Sequence, residues 1–507
     1  MGSRGVLRRG VRRFVFGAVS SLCFAQMLHA QIAQADYAAR RAALAQAIGN
    51  GIVVALGSPQ PEEDYLSFFQ NSRFRYLTDF REPDAALVFI VKEGKIAGKE
   101  MLFVNPKDPA QEVWTGKRFG LEGVRQALGF DARLASSLAR VVDTLLTRDT
   151  AAVLYAIGNF NSEGPTISRD DQIVSSFTKM HIKTPVKQAN TMVDQLRRVK
   201  TAAELDLIRK AVAITVDAQR DAMRYVAPGE NEFEVNALID YTFRRNGAER
   251  ASFSTIVGSG PNSTTLHYNA NDRFFGPNDV VVMDIGASYL GYAADVTRTV
   301  PVSGKFSPEQ RTIYQIVRDA QASAERQAKV NQPGRRLTDS SSAVLAAGLA
   351  RIGLIESPTG TMDCDSTATR SDCSQLRLYY MHGLGHGIGL DVHDPGAASG
   401  SANLVPGSAF TIEPGIYVRE NILDIIPKTP RNLALIEKIR PAVQKYKNIG
   451  VRIEDDYIMT DNGVEWISRA PREISEVEAT MKEPWRGPTP RDPAKIGWYP
   501  SGSPRAP

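Results

Sequence analysis

The sequence predicts two domains of mixed α and β structure, and three observations carry that reading. A chain of 507 residues exceeds an ordinary single domain. Between about Asp36 and Lys187, apolar runs of strand length alternate with stretches of helical spacing. At Thr201-Ala202-Ala203-Glu204 a capping box opens a second series of helices and strands. The composition, 43% hydrophobic and 23% charged, is that of soluble globular proteins and excludes a fibrous, disordered or multi-span membrane chain.

Residues 1–30 stand apart. Arg4, Arg8, Arg9, Arg12 and Arg13 precede an apolar run from Phe14 to Ala25, and Leu28-His29-Ala30 follows, the order of a secretory signal peptide cleaved after Ala30 or Ala35. The run falls short of the ~20 residues of a spanning helix, so stable membrane insertion after cleavage is not expected. Arg12-Arg13 ahead of Phe14-Val15-Phe16 partly matches a twin-arginine export signal. This segment predicts a periplasmic or secreted protein. It also carries the whole charge excess: five arginines and no acid leave with it, and the net charge of +5 falls to zero. A neutral mature chain offers no electrostatic footprint for nucleic acid or an anionic membrane.

The first domain, residues 36–190, has strand-like runs at Ile52 to Leu56, Ala85 to Val91 and Met101 to Val104, and helical spacing near 121–130 and 134–147. Its one histidine, His181, has no titratable cluster around it, so this domain is expected to shape access and assembly, not to perform chemistry. The second domain, residues 195–470, starts with the capped helix at Thr201, continues with helices from about Glu232 to Asn246, from Ser307-Pro308-Glu309 onward, and from about Thr338 to Ile352. Val280 to Ile285 and Ala294 to Val300 read as an antiparallel hairpin, and Thr411 to Val418 and Val451 to Met459 as further strands. Residues 472–507, rich in Pro, Arg and Gly, read as a largely irregular tail.

With Cys23 in the signal segment, Cys364 and Cys373 remain, and in an oxidising compartment they are expected to pair. Cys23 does not suit a lipid anchor, because bulky Leu22 precedes it.

The chemistry lies in the second domain. Asp284 and Asp295 interrupt the two apolar strands of the hairpin, and buried carboxylates are costly unless paired or metal-bound. Three of the six histidines, His382, His386 and His393, fall within twelve residues, a density that chance does not supply. His382 and His386 have the spacing of a helical zinc pair, but no glutamate follows His382 and the intervening glycines disfavour a helix, which excludes a zincin. Glu413 in Phe410-Thr411-Ile412-Glu413-Pro414 and Glu454 in Val451-Arg452-Ile453-Glu454 again break strand-like runs. Four carboxylates and one histidine form a hard, oxygen-rich donor set able to hold two divalent ions about 3.5–4 Å apart.

In that order and in those motifs, Asp284, Asp295, His386, Glu413 and Glu454 resemble the dinuclear centre of the pita-bread metallopeptidases, whose members include aminopeptidase P, prolidase and methionine aminopeptidase. The likeness covers roughly residues 195–470, and the preceding domain is similar in size and place to the creatinase-like N-terminal domain of aminopeptidase P and prolidase. The resemblance implies an N-terminal α/β domain followed by an α+β pita-bread catalytic domain. It implies that Asp295 and Glu454 bridge two metals, that Asp284 chelates one, and that His386 and Glu413 complete the other, with Glu413 as general base and a metal-bridging hydroxide as nucleophile. It gives His267 and His393 roles as donors to the carbonyl and the tetrahedral intermediate, places His382 on the proline side of the cleft, and makes Arg452 the holder of Glu454 and its neighbours.

The activity so implied is hydrolysis of the bond between an N-terminal residue and a following proline, on proline-containing peptides, by a homo-oligomer. Prolidase shares every ligand and is the nearest alternative; a non-catalytic relative or a metal-free one resembling creatinase would be expected to have lost ligands. Manganese suits the donor set, with cobalt, iron and zinc as alternatives. The segments from Thr359 to Gln375 and from Asn421 to Asn448 are departures placed to reshape the cleft rim.

Overall fold

A computed structural model describes residues 32–161, 166–365, 372–396 and 400–490. The expected signal peptide, and the tail beyond residue 490, lie outside the described residues. Among the described residues no helix is long and apolar enough to cross a membrane.

The N-terminal domain is built on six strands: β1 (Gly51–Leu56), β2 (Ala86–Lys92), β3 (Lys95–Val104), β4 (Asp131–Leu134), β5 (Leu154–Ile157) and β6 (Val186–Gln188). They lie in the order β4-β3-β2-β1-β5-β6; β2 is antiparallel to both β1 and β3, while β3–β4, β1–β5 and β5–β6 pair in parallel. All six residues of β1 are buried, as a central strand covered on both faces requires. Helices Gly120–Leu128 and Leu138–Arg148 stand where the apolar spacing predicts them. His181 pairs with Asp143 at 2.8 Å, away from any cluster.

The second domain opens as the capping box dictates. Glu204 N donates to Thr201 Oγ1 and Thr201 N to Glu204 Oε2 at 2.9 Å, starting the helix Ala202–Tyr225. Helices Glu232–Arg245, Pro308–Gln327 and Arg335–Arg351 follow. The hairpin forms from β8 (Val280–Ile285) and β9 (Val296–Pro301), antiparallel, with β7 (Ile256–Ser259) completing a three-stranded sheet. Its connection is a second small hairpin, Ala287–Tyr289 and Tyr292–Ala293, turning at Leu290 and Gly291, both of positive φ.

Three expectations are corrected. The run Thr411 to Val418 is two strands in different sheets, β10 (Ala409–Ile412) and β11 (Gly415–Val418), because Pro414 has no N–H for a ladder and the chain switches partners there. Val451 to Met459 divides in the same way: β12 (Ile449–Arg452) pairs with β11, and β13 (Asp455–Thr460) pairs with β10 and with β14 (Gly463–Trp466). The tail is not irregular throughout: Ile474–Met481 is a helix that buries Ile474, Val477 and Thr480, Trp485 packs edge-on against Tyr225, and Thr489 donates to Asp221. Its prolines begin at Pro484, just after this helix.

The cysteines do pair, Cys364 to Cys373 with Cα atoms 5.3 Å apart. The other departure contains helix Pro430–Tyr446.

Behind the strand junction lies Arg298, fully buried. Its Nη2 donates to Asp455 Oδ1 at 2.6 Å, Nη1 to the carbonyls of Glu454 and Thr297 at 2.7 and 2.8 Å, and Nε to the Pro471 carbonyl at 2.8 Å. Arg472 reaches the other Asp455 oxygen at 2.9 Å. Asp455 is held below its usual pKa: burial works against its charge, and Arg298 and Arg472 outweigh it. Arg298→Ala removes one of the two cations that neutralise buried Asp455 and the donors to five carbonyls, so a loss of ~3–5 kcal/mol is expected in urea unfolding.

Candidate metal centre

The strand breaks position the site. Asp284 faces Thr297 across the β8–β9 ladder, and Asp295 stands just before β9, its N–H donating to Asp456 Oδ2 at 3.1 Å. Glu413 occupies the junction of β10 and β11, Glu454 that of β12 and β13. A carboxylate at such a break is released from the side-chain alternation of a strand, and both glutamates turn to the same cleft.

His386 arrives from residues 384–388, which run as an extra edge along β10: Glu413 N donates to Leu384 O at 2.8 Å, Thr411 N to His386 O at 2.9 Å, and Ile388 N to Ala409 O at 3.1 Å. This close approach needs glycine. A Cβ on Gly385 would stand 2.1 Å from Thr411 O, and one on Gly387 2.4 Å from Asp394 O. Gly385→Ala is therefore expected to push residues 384–388 off β10, cost about 1–3 kcal/mol of stability, and weaken metal retention as read by equilibrium dialysis.

The carbonyl of Gly387 can only accept, so His386 Nδ1, 3.0 Å away, donates to it and leaves the Nε2 lone pair free. That nitrogen faces Glu413 Oε1 at 3.4 Å, Asp295 Oδ2 at 3.5 Å and Glu454 Oε1 at 3.9 Å. Ligand atoms of Asp295, His386 and Glu454 all lie within 4.8 Å of one another.

The centre has too much negative charge for its burial. Asp284, Asp295 and Glu454 are 7%, 5% and 1% exposed, and Arg452 is the cation among them. Arg452 Nη2 donates to Asp284 Oδ2 at 2.5 Å and Nη1 to Tyr417 OH at 2.9 Å. Burial first, then Glu454, Asp284, Asp456 and Glu413, pushes Asp295 well above the carboxylate range. Burial and Glu454 do the same to Glu413, and burial and Asp284 push Glu454 up to about 8. Asp284 Oδ1, Asp295 Oδ1 and Glu454 Oε1 are buried with no hydrogen-bond partner. Buried carboxylates that keep unsatisfied oxygens beside one bare imidazole nitrogen fit divalent cations, which would supply the missing counter-charge.

The histidines divide by position. His382 donates from Nδ1 to Gly383 O and accepts from Tyr417 OH at Nε2, each at 2.8 Å, and burial, followed by Arg452, lowers it to about 4, so it is neutral. His386 is lowered to about 4 by burial and then by His393, whose ring lies 4.1 Å away. His267 and His393 are exposed at the cleft edge, which all nine sequence-derived site residues line.

Sequence reasoning missed Tyr417, which joins His382 to Arg452, Thr297, which donates to Glu454 Oε2 at 2.6 Å, and Asp456 behind Asp295. Tyr417 and Thr297 read as ordinary strand residues; Asp456, next to Glu454 and Asp455, was the one visible signal.

Residues 206–461 match metallopeptidase family M24, and residues 37–155 match the aminopeptidase P N-terminal domain. A Haemophilus influenzae Xaa-Pro aminopeptidase is 33% identical over 82% of this chain and 88% of its own. The human Xaa-Pro dipeptidase is 29% identical over 86% of this chain and 90% of its own. Escherichia coli aminopeptidase P, solved in complex with substrate, superposes with a TM-score of 0.74 at 30% identity over 89% of this chain and 98% of that one. With its ligand-bearing motifs inside the first match and its leading α/β domain inside the second, the chain belongs to metallopeptidase family M24.

Proposed function

We propose that this chain is a dinuclear metallo-aminopeptidase that releases the first residue of peptides carrying proline second. The observation that carries the reading is the buried, under-neutralised set of Asp284, Asp295, Glu413 and Glu454 around His386, at a cleft edged by further histidines. Asp295, Glu454, Asp284, His386 and Glu413 would hold the ions, and manganese would suit this oxygen-rich set. Bound divalent ions would supply Lewis acidity toward a water and toward the scissile carbonyl.

The side chains do the rest. Glu413 takes the proton of the attacking water and returns it to the departing prolyl nitrogen. His393 and His267 donate to the carbonyl oxygen as it gains charge. His382, kept neutral and fixed by Tyr417, lines the prolyl side, and Arg452 fixes Asp284 and Tyr417 together.

Export to an oxidising compartment and assembly as a homo-oligomer belong to the same proposal. The arginine-rich leader and the Cys364–Cys373 disulfide support the first; the resemblance alone suggests the second. The relation to the human dipeptidase favours Xaa-Pro dipeptidase activity as the second reading. Manganese-loaded protein offered Ala-Pro-Pro and Ala-Pro separates them: release of alanine from the tripeptide is expected, and cleavage of the dipeptide alone would replace the proposal with the second reading.

A further inference from the structure

Two cavities meet at His393. One is the cleft described above; the other shares His393 with it, does not include His382, and is lined also by Arg250, Ser252, Ser288, Asp391 and Val392. Its wall is the pairing of Arg250 with Ser288, and Ser252 donates to Ala294 O at 2.9 Å, the residue before Asp295. The pocket is therefore built on the same backbone as the metal centre. Under the proposed function, a peptide with its scissile carbonyl at His393 and its proline beside His382 would find this second pocket for its first side chain.

The charges around this pocket are not equally engaged. Asp391 is occupied at both oxygens, Oδ2 by Arg197 Nη2 at 2.6 Å and Oδ1 by Ser72 Oγ. Glu249, next to Arg250, is matched by Arg81 at 3.7 Å and Arg75 at 3.9 Å. Arg250 differs. Its guanidinium lies 4.1 Å over the Phe69 ring, makes one long hydrogen bond of 3.5 Å to Ala251 O, and has no carboxylate within 4.0 Å among the described residues, Glu249 and Asp391 acting on it only from beyond that distance. A half-buried guanidinium with its planar fork of donors nearly unused is suited to a two-oxygen acceptor. The aromatic ring holds that fork in place, so little order is lost when the acceptor arrives.

We propose that Arg250 is a specificity residue that receives the carboxylate side chain of an acidic first residue. This inference rests on the aminopeptidase reading and adds its substrate class: peptides beginning Glu-Pro or Asp-Pro.

The test compares Glu-Pro-Pro, its near-isostere Gln-Pro-Pro, and Ala-Pro-Pro on the manganese-loaded full chain. The ratio of kcat/KM for Glu over Gln is expected to be about tenfold, the value of one charge-assisted pair at a half-buried site. It should fall to near one in Arg250→Gln and survive in part in Arg250→Lys. Because the ratio is internal to each preparation, partial loss of folded protein does not mimic the result. Cleavage of Ala-Pro-Pro with a wild-type ratio of one or below, or a ratio unchanged in Arg250→Gln, overturns the role of Arg250 and leaves the aminopeptidase reading standing. No cleavage of any of the three overturns that reading, and this inference with it.

Discussion

Glu413→Gln is expected to lower kcat on Ala-Pro-Pro by about 10³- to 10⁴-fold while keeping the cleft's shape. The amide nearly matches the carboxylate in size but cannot accept a proton, so the loss isolates proton transfer from packing. Glu413 sits where that role demands, at the β10–β11 junction with Oε1 3.4 Å from His386 Nε2 and Oε2 3.7 Å from His382 Nδ1. Burial and Glu454 favour its protonated form, so it holds a proton readily once it has one. Metal content measured alongside activity decides the interpretation. A variant that keeps its ions yet loses less than about tenfold would mean that another group moves the proton.

Removing the divalent ions should have the second large effect, abolishing hydrolysis and reversing the usual dependence of stability on pH. In metal-free protein Glu454 is pushed up to about 8 by burial and by Asp284, whereas an unfolded glutamate titrates near ~4.3. Between those values the folded chain carries the extra proton, so its stability is full below the unfolded pKa and is lost as pH climbs through the folded one. Asp295 and Glu413 are raised too and act in the same direction. Cations displace these protons, so metal affinity rises with pH over the same window. The gap in Tm between loaded and stripped protein should widen steadily from about pH 5.5 to about 8.5 in scanning fluorimetry. A stripped protein whose Tm rises across that range would contradict the assignment of these carboxylates as the ion-holding set.

Much of this was legible in the sequence because local chemistry and global fold agree. Thr201 and Glu204 announce a helix by hydrogen bonds that need only neighbours, and the β8–β9 hairpin follows from two β-branched runs with a glycine-bounded turn. The carboxylates stood out because each breaks an apolar run. What stayed hidden depends on contacts distant in sequence. Apolar periodicity cannot reveal that a strand changes sheets at Pro414, or that Tyr417 bridges His382 and Arg452, since a tyrosine in a strand looks the same whether it packs or bridges. The helix Ile474–Met481 was masked by the proline-rich residues that follow it.

The hydrogen bond from Thr297 to Glu454 joins residues 157 positions apart, and the side chains of the candidate centre sit on or at the ends of strands of three different sheets, with His386 on a neighbouring edge segment. Such a centre has no nucleus of its own. It comes into being only after β12 and β13 have reached β9, one of the slow, long-range steps of folding. A chain still emerging from the ribosome or a translocation pore offers at most scattered single carboxylates, which hold ions weakly. Cation capture is thus the last event of maturation. The compartment in which the final strands dock would then act beside the donor set in choosing the metal, and a protein exported folded and one exported unfolded would meet ions from different pools.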